Sequence, residues 1–413
     1  MFSQHFCFGY EHPPILPGPT LQSSGSAGLR HLSPLARPTL FTMATPLKDR
    51  VNVEMVRRLA DGMAEVDGRF DAEAFIIAVK PRIDQLELKD RINLLADELA
   101  AGLDATSDYP AALAAVVALA EIEPTERWAA GTFAAWPLCS FVERHGVDHP
   151  ADSLAAMPTL TKRWSCEFAI RPFLDNHLDL TWRHLVEWRS DEHEAVRRLV
   201  SEGTRPLLPW ATRVKALTEH PELGLDLIAP LRTDPSEAVR RSVANHLNDV
   251  AKLKPELVTA TLTRWAAGDG QPDDQVVRHG LRTLIKRGDP AAMALLGFDT
   301  SPEVTIETFT CEPASITLGD TIQLTATIRS TSAHDQRLVV DYVIHHPTAT
   351  GAISSKVFKW TNLRLDAGAT VTLEKRRAIK SISTRIYQPG RHRVELQVAG
   401  RALANADFDL AVD

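Results

Sequence analysis

A five-residue echo constrains this chain more than any other feature. Glu194-Ala195-Val196-Arg197-Arg198 recurs 43 residues later as Glu237-Ala238-Val239-Arg240-Arg241, and more faintly, 38 residues further on, as Gln275-Val276-Val277-Arg278-His279. Periods near 40 belong to HEAT-type helix pairs, each of which buries its apolar face only against its neighbours. Each echo opens the second helix of a predicted pair: 222–231 with 236–252, then 256–267 with 273–287. Stacked pairs make a curved solenoid whose second helices line the concave side. Helical periodicity extends from about Lys48 to Phe298 and includes 51–64, 86–101, 109–122, 160–177, 180–189 and 192–202, with breaks at Asp234-Pro235 and Gly288-Asp289-Pro290.

After Asp299 the period changes to two. Ile322, Leu324, Ala326 and Ile328 alternate with polar residues, and 338–344, 357–365, 370–374 and 394–398 read as further strands. Turns are expected at Gly319-Asp320, Asp366-Ala367-Gly368 and Pro389-Gly390. About seven short strands over 301–413 imply an immunoglobulin-like sandwich. The expected fold is therefore an α-helical HEAT-like repeat solenoid, 43–298, followed by an all-β immunoglobulin-like domain, 301–413. Residues 1–42 are rich in Pro, Gly and Ser, show no sustained period and are expected to be a disordered extension from an upstream start codon, with the first domain beginning near Met43. A transit peptide is the weaker alternative, and the lack of an apolar stretch of signal-peptide type argues against secretion.

A net charge of −7 does not mark a nucleic-acid binder, but its distribution does more. Acidic residues outnumber basic ones by about 20 to 11 over 43–157, and the balance reverses to about 20 basic against 18 acidic over 158–288. The second helices carry polar stripes at steps of three and four: Arg198 and Glu202, with Arg205 past Gly203; Arg241, Asn245, Asn248 and Asp249; Arg278, Arg282 and Lys286. One such stripe is an ordinary solvated face. Several aligned in successive repeats form a concave basic groove, for which phosphates are the natural partner. Trp164, Glu167 and Arg171 sit at i, i+3 and i+7 in another predicted helix, where core packing and surface ion pairing are the plain alternatives. The sandwich has its own basic cluster, Lys375-Arg376-Arg377 with Lys380, Arg385, Arg391 and Arg393, which either protects an edge strand or grips a duplex. Cys7, Cys139, Cys166 and Cys311 are scattered without metal-ligand spacing, so no zinc site is expected.

The stretch from Trp164 to Phe173, Ser201-Glu202-Gly203-Thr204-Arg205-Pro206-Leu207-Leu208-Pro209-Trp210, the helix Arg240-Arg241-Ser242-Val243-Ala244-Asn245-His246-Leu247-Asn248-Asp249 and the helix from Arg278 to Lys286 together resemble the AlkC branch of the AlkC/AlkD DNA glycosylases. The resemblance covers about 43–298. Some members of that branch also carry a C-terminal immunoglobulin-like domain. It implies excision of N3-methyladenine and similar small cationic bases from double-stranded DNA, with Glu167, Glu202 and Asp249 as catalytic carboxylates and Trp210 and Trp164 as aromatic site residues. Arg171, Arg205, Arg241, Asn245, Asn248, Arg282, Lys286, Lys375, Arg376 and Arg377 are the expected DNA contacts. Leu207 departs from the basic residue expected in that motif, which puts one phosphate contact in doubt. A cationic base is a good leaving group, so neither metal nor organic cofactor is expected, and the protein is expected to act as a cytoplasmic monomer. The competing reading is a non-enzymatic HEAT-repeat scaffold that binds DNA or protein.

Overall fold

The echo has its cause in the loops that precede the second helices. Arg197 folds back so that its Nη1 donates to the carbonyls of Asp191 and Glu192, both at 2.9 Å, while Nε and Nη2 reach the Asp234 carboxylate at 2.6 and 3.0 Å. One repeat later Arg240 does the same, donating to the carbonyls of Asp234 (2.7 Å) and Pro235 (3.0 Å) and to the Asp273 carboxylate at 3.0 Å. Each first arginine thus closes its own loop and staples it to the next. The second arginine of each echo, about 100° further round the helix, is left to face the concave side.

The computed structural model describes residues 46–122, 133–268, 272–382 and 385–412; the expected extension, 1–42, lies outside them. The described helices begin with Val53–Val66, Ala72–Ile83, Leu88–Gly102 and Tyr109–Glu121. Asn52, Asp71 and Asp108 cap the first, second and fourth, each side chain accepting a backbone N–H at 2.9–3.1 Å. The repeats that bear the site follow: Trp136–His145, Pro150–Thr161, Ile170–Asn176, Leu178–Trp188, Glu194–Gly203, Pro221–Ile228, Glu237–Leu253, Pro255–Ala267, Asp274–Gly280 and Arg282–Lys286. Among the described residues, no helix is long and apolar enough to cross a membrane.

Two predicted helices are interrupted, and in both a side-chain oxygen takes a backbone N–H that the helix would have used. The predicted 160–177 helix stops at Thr161 and resumes at Ile170, because the Cys166 N–H goes to Thr161 Oγ1 at 2.9 Å and Arg163 reaches the Ala120 carbonyl at 2.6 Å. The predicted 273–287 helix breaks at Leu281, where Asn248 Oδ1 takes the Thr283 N–H at 3.2 Å and Arg282 Nη1 takes the His279 carbonyl at 2.6 Å.

Eight strands follow: β1 (Val304–Glu312), β2 (Ser315–Thr317), β3 (Thr321–Ser330), β4 (Gln336–Pro347), β5 (Ile353–Leu365), β6 (Thr370–Ala378), β7 (Gly390–Val398) and β8 (Arg401–Ala411). They form two sheets, β1-β3-β6 and β2-β8-β7-β4-β5, antiparallel except for β2 beside β8. The alternation of β3 holds, with Ile322, Leu324, Ala326 and Ile328 all buried between the sheets.

The sandwich is packed onto the last helices. Val339 and Ala399 are buried in the helical core rather than in that of the sandwich. The Asp299 N–H donates to the Arg337 carbonyl at 2.9 Å, and the Asp299 carboxylate accepts the Arg337 N–H at 2.6 Å. The guanidinium groups of Arg337 and Arg278 stand 5.3 and 6.0 Å from the centroid of the Phe298 ring. At the seam Gly288 and Gly400 touch through bare backbone, both with positive φ (68° and 74°), and a Cβ on Gly400 would fall 2.2 Å from Gly288 Cα. Gly400→Ala is expected to lower stability in urea denaturation by more than about 1 kcal/mol through the left-handed conformation alone, whereas Gly68→Ala, which meets nothing within 4 Å, serves as the neutral control. Equal stability of the two variants would contradict the packed seam.

Candidate active site

The interruption after Thr161 creates the site. It turns Trp164, Ser165 and Glu167 out of any shared helical stripe and sets them at one wall of a cleft of about 450 Å³. Trp164 and Arg171 are therefore not on one face, contrary to the i, i+7 reading. The opposite wall comes from Glu194–Gly203 and Glu237–Leu253, which bring Arg198, Glu202, Arg241, Ser242 and Asn245. The approach depends on Gly203, since a Cβ there would lie 2.7 Å from the Ile170 side chain and 3.9 Å from Glu167 Cα.

Glu167 is buried, and its Oε2 accepts Ser165 Oγ at 2.9 Å and Arg198 Nη1 at 3.2 Å. Burial pushes its carboxyl above the ordinary glutamate value; Arg198 opposes the rise and neighbouring Glu202 adds to it. Glu202 is also buried, but its Oε1 accepts Arg205 Nη1 at 2.6 Å, its Oε2 accepts Ser242 Oγ at 2.7 Å, and Arg198 Nη2 stands 3.6 Å away. Burial alone would raise Glu202 too, yet Arg198, Arg205 and the Ser242 hydroxyl more than offset it and hold it below the usual range. Two neighbouring carboxyls are thereby driven in opposite directions, the pattern that separates proton-transfer and electrostatic roles.

Asp249 stands apart from this expectation. It is fully buried and lies behind the cleft wall, accepting Arg205 Nε at 2.8 Å and Lys252 Nζ at 3.0 Å. Arg205 spans Asp249 and Glu202 and so links Asp249 to the cleft wall. Arg205 is itself buried and doubly paired, so it faces the carboxylates and not a phosphate.

Trp210 is 42% exposed on the cleft rim, with a left-handed φ of 63°. Trp164 stacks on Trp136, ring centroids 5.4 Å apart, and tilts against Phe133 at 5.3 Å. Trp136, Ser165, Arg198 and Ser242 belong to the site but were not among the expected functional residues. Arg198 was visible as a partner of Glu202 one helical turn away; the hydroxyls and Trp136 had no separate signal.

The expected DNA contacts divide. Arg241, Asn245 and Arg282 line the cleft, and Lys286 is exposed further along. Asn245 Oδ1 receives Arg282 Nη2 at 3.2 Å and His279 Nε2 at 2.8 Å; burial and the neighbouring arginines depress His279 to about 4 and keep it neutral. Asn248 is buried and spent on Thr283. Arg171 is 1% exposed and donates to the carbonyls of Thr212 (2.6 Å), Gly203 (2.8 Å) and Arg205 (3.0 Å), so it braces the loop before Val214 and offers nothing to a phosphate. On β6, period two splits the basic triplet. Lys375 and Arg377 share the inner face with Leu324 and Ile322, Arg377 covering the Phe358 ring at 4.2 Å, and Arg376 alone shares the exposed face with Gln323.

Comparison with known proteins identifies the family of the chain. The chain is 33% identical over 270 residues to the uncharacterized protein YhaZ of Bacillus subtilis (strain 168), spanning 65% of this chain and 75% of that one. The solved structure of Pseudomonas fluorescens alkylpurine DNA glycosylase AlkC, bound to DNA containing an abasic site analog, superimposes with a TM-score of 0.82 at 37% identity, over 89% of this chain and 99% of that chain. The chain belongs to the AlkC family. Residues 305–412 match the model of the YhaZ C-terminal Ig-like domain, so this AlkC-family chain carries that domain after its helical repeats. Among the described residues, no three His, Cys, Asp or Glu side chains are grouped to hold a metal ion.

Arg205→Met is expected to destabilise the protein by about 3–5 kcal/mol at neutral pH, because it leaves two buried carboxylates without their shared cation. Glu202 is depressed in the folded state, so its contribution is present above its ordinary value and fades as pH falls. The deficit of Arg205→Met measured by urea denaturation should therefore shrink under acid conditions. A deficit independent of pH would contradict the network.

Proposed function

We propose that this protein is a DNA glycosylase of base excision repair that hydrolyses the N-glycosidic bond of small cationic alkylated bases, N3-methyladenine and its like, in duplex DNA. The observation that carries the proposal is the pair of buried carboxyls, Glu167 and Glu202, joined by Arg198 and lining one cleft within a cationic groove. Buried carboxylates weaken a plain phosphate-binding surface, so their presence favours chemistry over a scaffold. The AlkC relative of known structure is bound to DNA with an abasic site analog, the kind of DNA such a reaction leaves.

In the proposed reaction the water oxygen bonds to C1′ of the deoxyribose as the bond from C1′ to the base nitrogen breaks. The bonding pair leaves with the base, which departs neutral because it began as a cation, and no acid is required. Glu167 takes the proton from water, as its raised proton affinity suits. Glu202, held anionic, stabilises the positive charge that develops on the sugar. Trp210, and Trp164 supported by Trp136, favour a cationic base through the ring quadrupole, an effect of about 0.5–2 kcal/mol. Arg241, Asn245, Arg282 and Lys286 hold the backbone, and Arg376 on the sandwich adds an exposed cation for the duplex.

Glu167→Gln should abolish base release while leaving DNA affinity near that of wild type, and Arg376→Glu should do the reverse, weakening affinity with the single-turnover rate kept. Because a base works deprotonated, raising its pKa moves the acid limb of the rate profile to higher pH. Arg198→Gln removes a cation that lowers Glu167 and should shift that limb upward. Excision retained by Glu167→Gln would remove the assignment of the base.

A further inference from the structure

Trp210 occupies a backbone conformation that residues other than glycine rarely adopt, and it does so on an exposed rim. Such a conformation persists only where the surroundings hold it. The loop from 204 to 214 is anchored on either side of Trp210 by Arg171, which binds the carbonyls of Gly203, Arg205 and Thr212. Trp210 itself is held from across the molecule. Lys89, near the start of Leu88–Gly102 and 121 residues away, donates from Nζ to the Trp210 carbonyl at 3.3 Å. The same ammonium lies 4.8 Å from the ring centroid of Phe168, the neighbour of Glu167, and 3.6 Å from Glu143 Oε1. One cation therefore ties the tryptophan loop to the turn that carries Glu167.

We infer that Lys89 is a positioning residue that holds the Trp210 indole in register with the Glu167 turn. The inference rests on the proposed glycosylase reading for its kinetic consequence, but not for its structural one. Three groups from separate parts of the chain share the charge of the half-buried Lys89, which makes it a strut between them; a residue serving only as a phosphate contact would point away from them. Lys89→Arg keeps both a donor and a cation, whereas Lys89→Met keeps the aliphatic length and loses both.

The test uses the full-length chain in five forms: wild type, Lys89→Met, Lys89→Arg, Trp210→Ala and the Lys89→Met/Trp210→Ala double variant. Single-turnover release from N-methylated duplex DNA should fall on the order of 10-fold or more in Lys89→Met, as a misplaced contact group does. DNA affinity should stay near that of wild type, Lys89→Arg should recover most of the rate, and Lys89→Met should cost nothing further once Trp210 is alanine. A wild-type rate in Lys89→Met, a loss confined to affinity, or a full loss repeated on the Trp210→Ala background would each overturn the inference. A second readout is independent of activity. In protein labelled with 5-fluorotryptophan, the ¹⁹F resonance assigned by Trp210→Phe should shift or broaden in Lys89→Met and return in Lys89→Arg. If the wild type releases no base, the functional reading fails and this resonance decides the role of Lys89; an unchanged resonance overturns it.

Discussion

Burying carboxylates is costly unless cations accompany them, and two arginines meet that need throughout the cleft wall. Arg205 lies between Glu202 and Asp249, and Arg198 between Glu202 and Glu167. The chain of charges Glu167, Arg198, Glu202, Arg205, Asp249 crosses three successive helical units. Each acid is consequently held by a group from a neighbouring unit: Glu167 by Arg198, Glu202 by Ser242 and Asp249 by Arg205. The same network gives the acids unlike chemistry, because Glu202 has both arginines and a serine, Glu167 has one arginine and a serine, and Asp249 is removed from the cleft altogether.

The repeat makes such a network possible. In each echo the first arginine serves the loops and the second serves the concave side. Arg197 and Arg240 fix the spacing of units to the precision of hydrogen bonds, and Arg198 and Arg241 inherit that spacing at the cleft. The third copy ends the series. Arg278 turns to Phe298 and the sandwich seam, and His279 stands where the earlier copies have their second arginine, bonded to Asn245. The stack thus closes against the β-sandwich with the same residue that elsewhere closes it against another repeat.

Much of this was legible in the sequence because it is local. The echo gives the helix pairs, and period two gives β3 and its neighbours. The steps of three and four correctly place Arg241, Asn245 and Arg282 beside one cleft. What was not legible depends on partners 30 or more residues away. Nothing within 160–177 announces that the Arg163 side chain will be drawn to the Ala120 carbonyl, 43 residues away, where the helix stops. Arg171 and Asn248 have the spacing of surface residues, yet each is consumed by backbone or side-chain groups from another unit. Lys375 and Arg377 read as one patch with Arg376 only if the strand alternation is ignored. Asp249 aligned with the catalytic carboxylates by resemblance, but its burial behind the wall depends on Arg205, 44 residues away.

The central claim is that the cleft breaks a glycosidic bond with its own carboxylates and water. Its most direct test is release of free bases from N-methylated duplex DNA by the purified protein in EDTA. The account requires free N3-methyladenine to appear in solution, leaving abasic sites in the duplex. Tight binding to the same DNA with no base released would contradict it and leave a DNA-binding relative without the reaction.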